Sequence, residues 1–318
     1  MRVAFSSCMS NRVFKTQPVW SWIAAAKPDH LVLLGDSLYL DVAGTAHPTK
    51  MSDVEFAEHL FMLFSELMAQ KQFAELIRVM PAGNVHCIWD DHDFLWDDAN
   101  GAEVHPVHTE KVRLSTAFLE AFRLSIRSQM SPGSFPQDAL QAPFWDLNQP
   151  TLTTPSIALE PDLWLHLSDG RTNRTRISFI AESKRNLFGA AQRKKLGDAI
   201  AAQPAAVHLF ASGSTIAGYQ RYTLDLAWLK DLASRTRTLV LSGDIHRNEL
   251  DAFYTGGLPL HEATSSGAAV KDGVIVGATR RNYGLLDIDA SSVAVSLFAQ
   301  NEVEQRRMLN RDSWLPVT

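Results

Sequence analysis

The chain has 318 residues, a hydrophobic fraction of 46% and a formal net charge of −5. This length suits one large α/β domain or two small ones, and the negative charge gives no general case for a nucleic-acid-binding protein. No apolar run approaches the about 18 residues that a membrane-spanning helix requires. Residues 1–5 lead directly into a predicted strand without a signal-peptide pattern, so we expect a cytoplasmic protein unless an export signal was removed.

Predicted strands and helices alternate through the first part of the chain. Short apolar runs predict strands at 2–6, 30–34 and 85–89. Apolar residues at helical spacing predict helices at about 17–27, 51–80 and 107–126. The second of these helices opens with Ser52-Asp53-Val54-Glu55, which is a capping-box pattern.

Residues 127–160 are rich in proline, glutamine and aromatic residues and show no clear period. A long irregular segment of this kind predicts an insertion that acts as a lid or a binding loop. Beyond it, the pattern predicts strands at 163–167, 177–181, 207–211 and 238–241, helices at 190–201 and 224–234, and a mostly β tail over 250–298. This order of elements indicates a single domain, in which two sheets pack as a sandwich flanked by helices.

Four short segments carry side chains that bind metals. They are Ser7-Cys8, Gly35-Asp36-Ser37-Leu38-Tyr39, Trp89-Asp90-Asp91-His92-Asp93 and Ser242-Gly243-Asp244-Ile245-His246. Because ligands of open α/β folds gather outside the carboxyl ends of strands, we expect the potential ligands to converge. These are Cys8, Asp36, Tyr39, Asp91, Asp244 and His246. Each of them taken alone would equally fit a cap or a turn.

The side-chain types indicate two kinds of metal subsite. Asp91 and Asp244 offer hard oxygen donors, which suit calcium, magnesium or manganese. Cys8 and Tyr39 would bind as thiolate and phenolate, whose negative charge suits an ion of higher charge. Two metal ions about 3.5–4 Å apart activate a water and stabilise the transition state of phosphate-ester hydrolysis. His246 lies two residues after Asp244, so in an extended segment both side chains would face the same site.

As an ordered set, these motifs resemble those of the PhoD-like family of metallophosphoesterases, which is also called the alkaline phosphatase D family. Ile245 stands where that family usually has valine. Weaker likenesses follow in family order at residues 167–174, 187–192 and 282–284. Within the first of these, Gly170 and Asn173 depart from the family pattern. The resemblance therefore covers almost the whole chain.

The resemblance implies a four-layer αββα architecture and the hydrolysis of phosphate esters, of the phosphodiesterase or alkaline phosphatase type. It also implies a dinuclear centre of Fe³⁺ with Ca²⁺, in which Mn²⁺ or Mg²⁺ can take the place of calcium. In that centre Asp36 would bridge the ions, Cys8, Tyr39 and His246 would serve the iron, and Asp91 and Asp244 would serve the divalent ion.

Other residues in these motifs have more than one interpretation. His92 either contacts the phosphate or the leaving oxygen as a catalytic group, or supports its neighbours. Asp90 and Asp93 are expected to orient the adjacent ligands. Arg171 and Arg174 are expected to bind substrate, because a guanidinium matches phosphate, and Arg171 is also expected to act in catalysis. The cationic stretch over 171–195 is either a basic rim near an anionic substrate or a solvated surface.

Two other functions remain open. Gly35-Asp36-Ser37-Leu38 also spells the signature of GDSL serine esterases, but none of the 11 histidines has the aspartate three residues earlier that accompanies the base in those enzymes. The second alternative is a catalytically inactive metallophosphoesterase-like module for binding or sensing. The leading interpretation implies a small phosphate-ester substrate, no stable nucleic-acid partner and no membrane. It leaves the identity of the substrate and the oligomeric state open.

Overall fold

The computed structural model describes residues 1–42, 46–141 and 152–317. Its α-helices there are α1 (Pro18–Ala26), α2 (Asp53–Met68), α3 (Lys71–Val79), α4 (Asp91–Phe94), α5 (Gly101–Arg127), α6 (Ala190–Ala201), α7 (Ile216–Tyr219) and α8 (Thr223–Arg235). Its strands there are β1 (Arg2–Ser6), β2 (His30–Leu34), β3 (Val85–Ile88), β4 (Ser156–Glu160), β5 (Leu163–Leu167), β6 (Val207–Ser212), β7 (Arg237–Ser242), β8 (Asn248–Phe253), β9 (Leu260–Ser265), β10 (Val270–Lys271), β11 (Thr279–Arg280), β12 (Asn282–Ile288), β13 (Ser292–Ala299) and β14 (Glu302–Asn310). No helix among these described residues is long and apolar enough to cross a membrane.

Two six-stranded sheets form the centre of the molecule, with strand orders β14-β13-β12-β1-β2-β3 and β4-β5-β6-β7-β9-β8. Strands β1, β2 and β3 run parallel to one another, and so do β5, β6, β7 and β9. The remaining neighbours pair antiparallel, and β10 and β11 form a separate short hairpin. The predicted metal ligands follow the carboxyl ends of the parallel strands, where their loops can meet.

The two sheets pack face to face between two layers of helices. Val32, Leu34 and Leu209 belong to the apolar core between the sheets. Leu31 and Leu33 alternate with the inward residues and belong to a second core that includes residues of α1, α2, α3 and α5. A third core joins the outer face of the second sheet to α6, α7 and α8. The chain is thus a four-layer αββα sandwich with a β-rich carboxyl-terminal part, as predicted.

The helix predicted over 51–80 is two helices, α2 and α3, with a break at Ala69 and Gln70. The side chain of Gln70 accepts a hydrogen bond from the Phe73 backbone N–H at 2.6 Å and so caps the start of α3. Neither glycine nor proline marks the junction, so the apolar spacing alone predicts one continuous helix.

The strand predicted at 177–181 is wrong, because this part of the chain forms turns and bends. Phe179 has a φ of 63°, a left-handed conformation that no regular strand contains. The fifth helix begins at Gly101 rather than near 107, with Pro106 inside it and a non-helical φ of −128° at His108. The sequence pattern starts after this kink, which explains the late predicted start.

The predicted insertion at 127–160 is only partly irregular. Residues 128–141 form mainly turns and bends, whereas Ser156–Glu160 forms β4, which pairs antiparallel with β5 at the edge of the second sheet. Residues 142–151, the centre of the predicted lid, lie outside the described residues. A lid or binding-loop role for this segment stays a prediction.

Buried histidines form two pairs on adjacent strands. His30 Nδ1 lies 3.2 Å from His86 Nε2, and His166 Nε2 lies 3.0 Å from His208 Nδ1. Burial lowers the pKa of His86 and of His166 to about 3, and that of His208 to about 4. These imidazoles are therefore neutral in the folded protein at pH values where the unfolded chain is protonated.

We expect His166 and His208 to make the fold sensitive to acid. An unfolded histidine has a pKa of about 6.5, so below that pH the unfolded chain binds more protons and stability falls as the pH falls. When the pH falls from about 8 to about 5, each of these two histidines should lower the unfolding free energy by roughly 2 kcal/mol. Urea unfolding at both pH values measures how much unfolding free energy is lost between them. This loss should be smaller by roughly 4 kcal/mol in His166→Gln/His208→Gln than in the wild type. His105→Gln, in helix α5, serves as the control. An equal loss in the wild type and the double variant would contradict the expectation.

Candidate metal centre

The four motif segments meet at one end of the sheets and are joined by backbone hydrogen bonds. The Cys8 N–H donates to the Gly35 carbonyl at 3.2 Å, and the Met9 N–H donates to the Asp36 carbonyl at 2.9 Å. Gly35 has a φ of 95°, and a Cβ there would come within 2.7 Å of the Asp90 Cβ. Only glycine allows this approach, which brings the loop after β2 against the loop after β3.

Atoms that could bind a metal form two overlapping groups, in each of which all atoms lie within 4.8 Å of one another; His92, predicted as a catalytic residue, is a member of one of them. One group consists of Cys8, Asp36 and His246, and the other of Asp36, Asp91 and His92. Cys8 Sγ lies 3.3 Å from Asp36 Oδ2, and the Tyr39 hydroxyl lies 3.3 Å from His246 Nε2. Asp36 is common to both groups.

Four of the predicted ligands have left-handed backbone conformations. The φ angles are 60° at Cys8, 50° at Asp36, 77° at Asp244 and 52° at His246. Such conformations are unfavourable for residues other than glycine, and they cluster at functional sites because the surrounding fold enforces them. The strained backbone conformations therefore occur at residues that the sequence motifs predict to be metal ligands.

The electrostatics of the site favour a bound cation. Burial and the neighbouring Cys8 raise the pKa of Asp36 well above its usual range, and burial raises the pKa of the Cys8 thiol to about 11. Among the described residues, Oδ1 of Asp36 is buried and has no hydrogen-bond partner. A buried, unpartnered carboxylate oxygen beside a thiol and a phenol is costly unless a cation neutralises it. These residues fit a metal centre by chemistry as well as by position.

Asp244 belongs to neither of these two groups. Its side chain is exposed, although partial desolvation and the nearby carboxylates of Asp90 and Asp91 still raise its pKa to about 6. The expectation of an extended segment from Asp244 to His246 is wrong, because both residues have positive φ and the segment bends after β7. The chain turns here to enter β8, so the alternation of a strand does not apply. Asp244 as a metal ligand stays a prediction.

His92 is held by a carboxylate that sequence reasoning missed. Its Nδ1 lies 2.6 Å from Asp41 Oδ1, while the other oxygen of Asp41 accepts the Asp97 backbone N–H at 2.8 Å. Burial opposes the charge of the imidazole, yet the bond to Asp41 and the carboxylates of Asp36 and Asp91 raise the pKa of His92 to about 10. Asp41 therefore holds the Nδ1 side of the ring, and His92 belongs to the group that contains Asp36 and Asp91. The only sequence signal for Asp41 is an acidic residue two positions after Tyr39.

Asp93 fixes the loop that carries Asp36. Its Oδ1 accepts the Leu38 N–H at 2.8 Å, and its Oδ2 accepts the Asp90 N–H at 3.1 Å. One side chain thus ties the turn after β2 to the start of α4. Burial raises the pKa of this carboxyl to about 7.

Arg171 lies beneath the site rather than at its surface. It is 2% exposed, its Nε donates to Asp90 Oδ1 at 2.6 Å, and its Nη2 lies 3.4 Å from Asp91 Oδ1. Burial opposes its charge, but Asp90 and Asp91 raise the pKa of the guanidinium. This geometry differs from the expected contact with substrate, because the fork that would hold a phosphate already holds two carboxylates. It supports a role in positioning Asp90 and Asp91.

The amino terminus of α5 holds the backbone around Arg171. The Gly101 N–H donates to the Arg171 carbonyl at 2.9 Å, and the Ala102 N–H donates to the Arg174 carbonyl at 3.1 Å. A Cβ on Gly101 would come within 1.7 Å of the Thr172 carbonyl oxygen, so glycine is required at this contact. The kinked start of α5 therefore fixes both arginines relative to the ligands.

Gln192 supports the same loop from the other side. Its side-chain amide accepts from the Asp169 N–H at 2.7 Å and donates to the Asp169 carbonyl at 2.8 Å. Asp169 Oδ1 in turn accepts from Trp89 Nε1 at 2.8 Å and from the Arg171 N–H at 2.9 Å. The two weakly matching motifs at 167–174 and 187–192 thus meet in space. The amide of Gln192 connects them to the Trp89–Asp93 segment.

Arg174 is also buried, but the described residues engage its guanidinium only in part. Its Nη2 donates to Ser214 Oγ at 2.9 Å, and the guanidinium lies 5.4 Å from the Tyr222 ring centroid. Its Nε has no hydrogen-bond partner among the described residues. Three other cations of the expected basic rim form ion pairs within the protein: Arg176 pairs with Glu103, Arg193 with Asp225, and Lys194 with Asp198.

The fold is a four-layer αββα sandwich, and potential metal ligands cluster at one end of its sheets. No family model matches the chain, and no curated protein matches it in sequence. The solved structure of PhoD superposes on it with a TM-score of 0.73, covering 100% of this chain and 71% of that chain at 12% identity. The chain therefore has a PhoD-like fold.

Two more distant structures also align with the chain. Wild-type Vps29 complexed with Zn²⁺ from Entamoeba histolytica gives a TM-score of 0.38 at 11% identity, covering 98% of this chain and 99% of that chain. A predicted phosphoesterase from Streptococcus pneumoniae gives 0.35 at 9% identity, with 97% of each chain covered. TM-scores this low add no support to the comparison with PhoD.

Proposed function

We propose that the protein hydrolyses phosphate esters, of the phosphodiesterase or alkaline phosphatase type, at a dinuclear metal centre. The observation that carries the proposal is the sharing of Asp36 by two groups of ligand atoms within 4.8 Å. The PhoD-like fold supports it, since that fold places these loops together. The proposed substrate is a small phosphate ester that requires neither a nucleic acid nor a membrane.

Cys8, Tyr39 and His246 would hold the ion of higher charge, which we propose to be Fe³⁺. Asp91 and Asp244 would hold the divalent ion, proposed as Ca²⁺ with Mn²⁺ or Mg²⁺ as substitutes. When bound, such a pair supplies positive charge to the transition state and a nucleophile at neutral pH. The exposed position of Asp244 suits a subsite that remains open to substrate.

His92 is the residue that we propose to donate a proton to the leaving oxygen. Asp41 occupies its Nδ1 at 2.6 Å and so directs the ring, while its Nε2 is 3.9 Å from the mostly exposed Asp97. The proton on Nε2 is therefore the one that a substrate can reach. The ring lies against Tyr39 with centroids 4.4 Å apart, which keeps it beside the ligands.

Metal analysis combined with turnover tests this proposal. Purified protein should contain two metal ions per chain by elemental analysis, and it should hydrolyse bis(p-nitrophenyl) phosphate with an alkaline optimum. Removal of the ions by a chelator should abolish the activity, and adding them back should restore it. A metal-loaded protein without turnover on mono- or diesters would instead indicate a binding or sensing module.

Ser37→Ala should retain nearly all phosphodiesterase activity. Ser37 is 4% exposed, and within the described part of the chain its hydroxyl has no hydrogen-bond partner, so no histidine there activates it as a nucleophile. We expect kcat/KM within about twofold of wild type, which is less than 0.5 kcal/mol. Ser134→Ala, outside the site, controls for the loss of a hydroxyl. A dead but metal-loaded Ser37→Ala protein would favour the serine-esterase alternative.

A further inference from the structure

The hairpin of β10 and β11 lies directly against the proposed metal ligands. His246 Nδ1 donates to the Asp272 carbonyl oxygen at 2.7 Å, so the backbone of the hairpin sets the orientation of that imidazole. Val270 and Val274 pack in one apolar cluster with Cys8 and Tyr39. The hairpin is therefore one wall of the site on the side of Cys8, Tyr39 and His246.

The tip of this hairpin is strained and apolar. Val274 has a φ of 69°, which is a genuine outlier for a β-branched residue, and it bridges back to Lys271. This turn directs Val274 into the cluster beside the ligands and leaves the next two side chains in water. Ile275 is 51% exposed and Val276 is 64% exposed. Strained residues persist near functional sites where the local geometry serves a purpose.

We infer that Ile275 and Val276 contact the substrate and select phosphodiesters that carry an apolar substituent. The inference rests on the proposed function and names the substrate class of the same site. A phosphate between the ligand groups must extend its ester substituents toward the rim, and these two side chains are exposed apolar groups next to the His246 side of that rim. Burial of alkyl surface against them is favourable, because it removes both surfaces from water.

The charges nearby agree with a substrate of low charge. Arg280 at the base of the hairpin is paired with Asp272. A polyanionic substituent would have to compete with Asp272 for that guanidinium. A diester with a single negative charge and an alkyl or aryl group does not need a cation to bind its substituent.

A homologous substrate series tests the inference. We would measure kcat/KM for methyl p-nitrophenyl phosphate and hexyl p-nitrophenyl phosphate with the metal-loaded full chain. The two esters share the leaving group and charge, and they differ only in apolar length. We expect wild type to prefer the hexyl ester by about tenfold or more, and Ile275→Ser/Val276→Ser to reduce that ratio to about two or less. Val303→Ser, which removes a similarly exposed valine on β14, should keep the wild-type ratio.

Each outcome separates this inference from the proposed function. Hydrolysis of both esters at similar kcat/KM by wild type would overturn the inference and leave the proposed function standing. A wild-type preference that survives Ile275→Ser/Val276→Ser would place the selectivity elsewhere and also overturn it. Hydrolysis of p-nitrophenyl phosphate without hydrolysis of either diester would also overturn the inference and leave the proposed function standing. Failure of the metal-loaded protein to hydrolyse all three esters would overturn the proposed function, and the inference with it.

Discussion

Asp36→Asn is expected to release both metal ions and to abolish hydrolysis of phosphate esters. Among the described residues, Asp36 is the one member common to the two groups of potential ligand atoms, and it is 2% exposed. An amide oxygen binds a cation more weakly than a carboxylate and cannot bridge with the same charge. We expect kcat/KM to fall by about a thousandfold or more, equivalent to about 4 kcal/mol.

Elemental analysis and kinetics of the purified variant make the measurement. Asp251→Asn, which changes an exposed aspartate on β8, should keep full metal content and activity. The loss of one ion with full retention of the other would show that Asp36 serves a single subsite. Full occupancy of both subsites would contradict its assignment as the bridging ligand.

Arg171→Ala should lower both the stability of the fold and the affinity for metal. Its guanidinium is the counter-charge of buried Asp90 and lies 3.4 Å from Asp91. Removing one partner of a buried ion pair leaves an uncompensated charge and costs about 3–5 kcal/mol. Urea unfolding should show this loss, and titration with Mn²⁺ should show weaker binding, because Asp91 loses its support.

A double variant separates positioning from direct contact with substrate. Arg171→Ala/Asp90→Asn should recover part of the lost unfolding free energy, since the unpaired charge is gone. Arg171→Lys keeps the charge but loses the fork, so it should fall between wild type and Arg171→Ala. If Arg171→Ala instead keeps its stability and metal content and loses only kcat/KM, the residue contacts substrate as the sequence predicts.

The sequence predicted the strands of the core well because their apolar runs are short, continuous and bounded by polar residues. Leu31–Leu34 and Leu239–Leu241 lie within β2 and β7, and both runs lie entirely in the interior. The convergence of Cys8, Asp36, Asp91 and His246 followed from the same reasoning, since parallel strands end at one edge. Elements without a local signal were missed, as the break at Gln70 shows.

The direction of a side chain was the hardest feature to predict. Nothing in the local sequence shows that Arg171 points inward to Asp90, although two adjacent aspartates in a buried motif require a counter-charge. Asp41 and Gln192 act on partners that are 51 and 23 residues away in sequence. Such contacts depend on the assembled fold, and a single sequence carries no record of them.

The left-handed backbone at four proposed ligands has a consequence for how the protein can evolve and be engineered. A region that combines unfavourable backbone angles with crowded acidic groups is locally frustrated, and the well-packed layers around it must hold it in place. Ions that bind there would stabilise the native state by mass action, so melting temperature becomes a direct assay for the cognate ions. Replacing such residues by glycine should relax the backbone and raise the melting temperature of the ion-free chain. The same replacements should weaken metal binding, because they remove the ligand side chains.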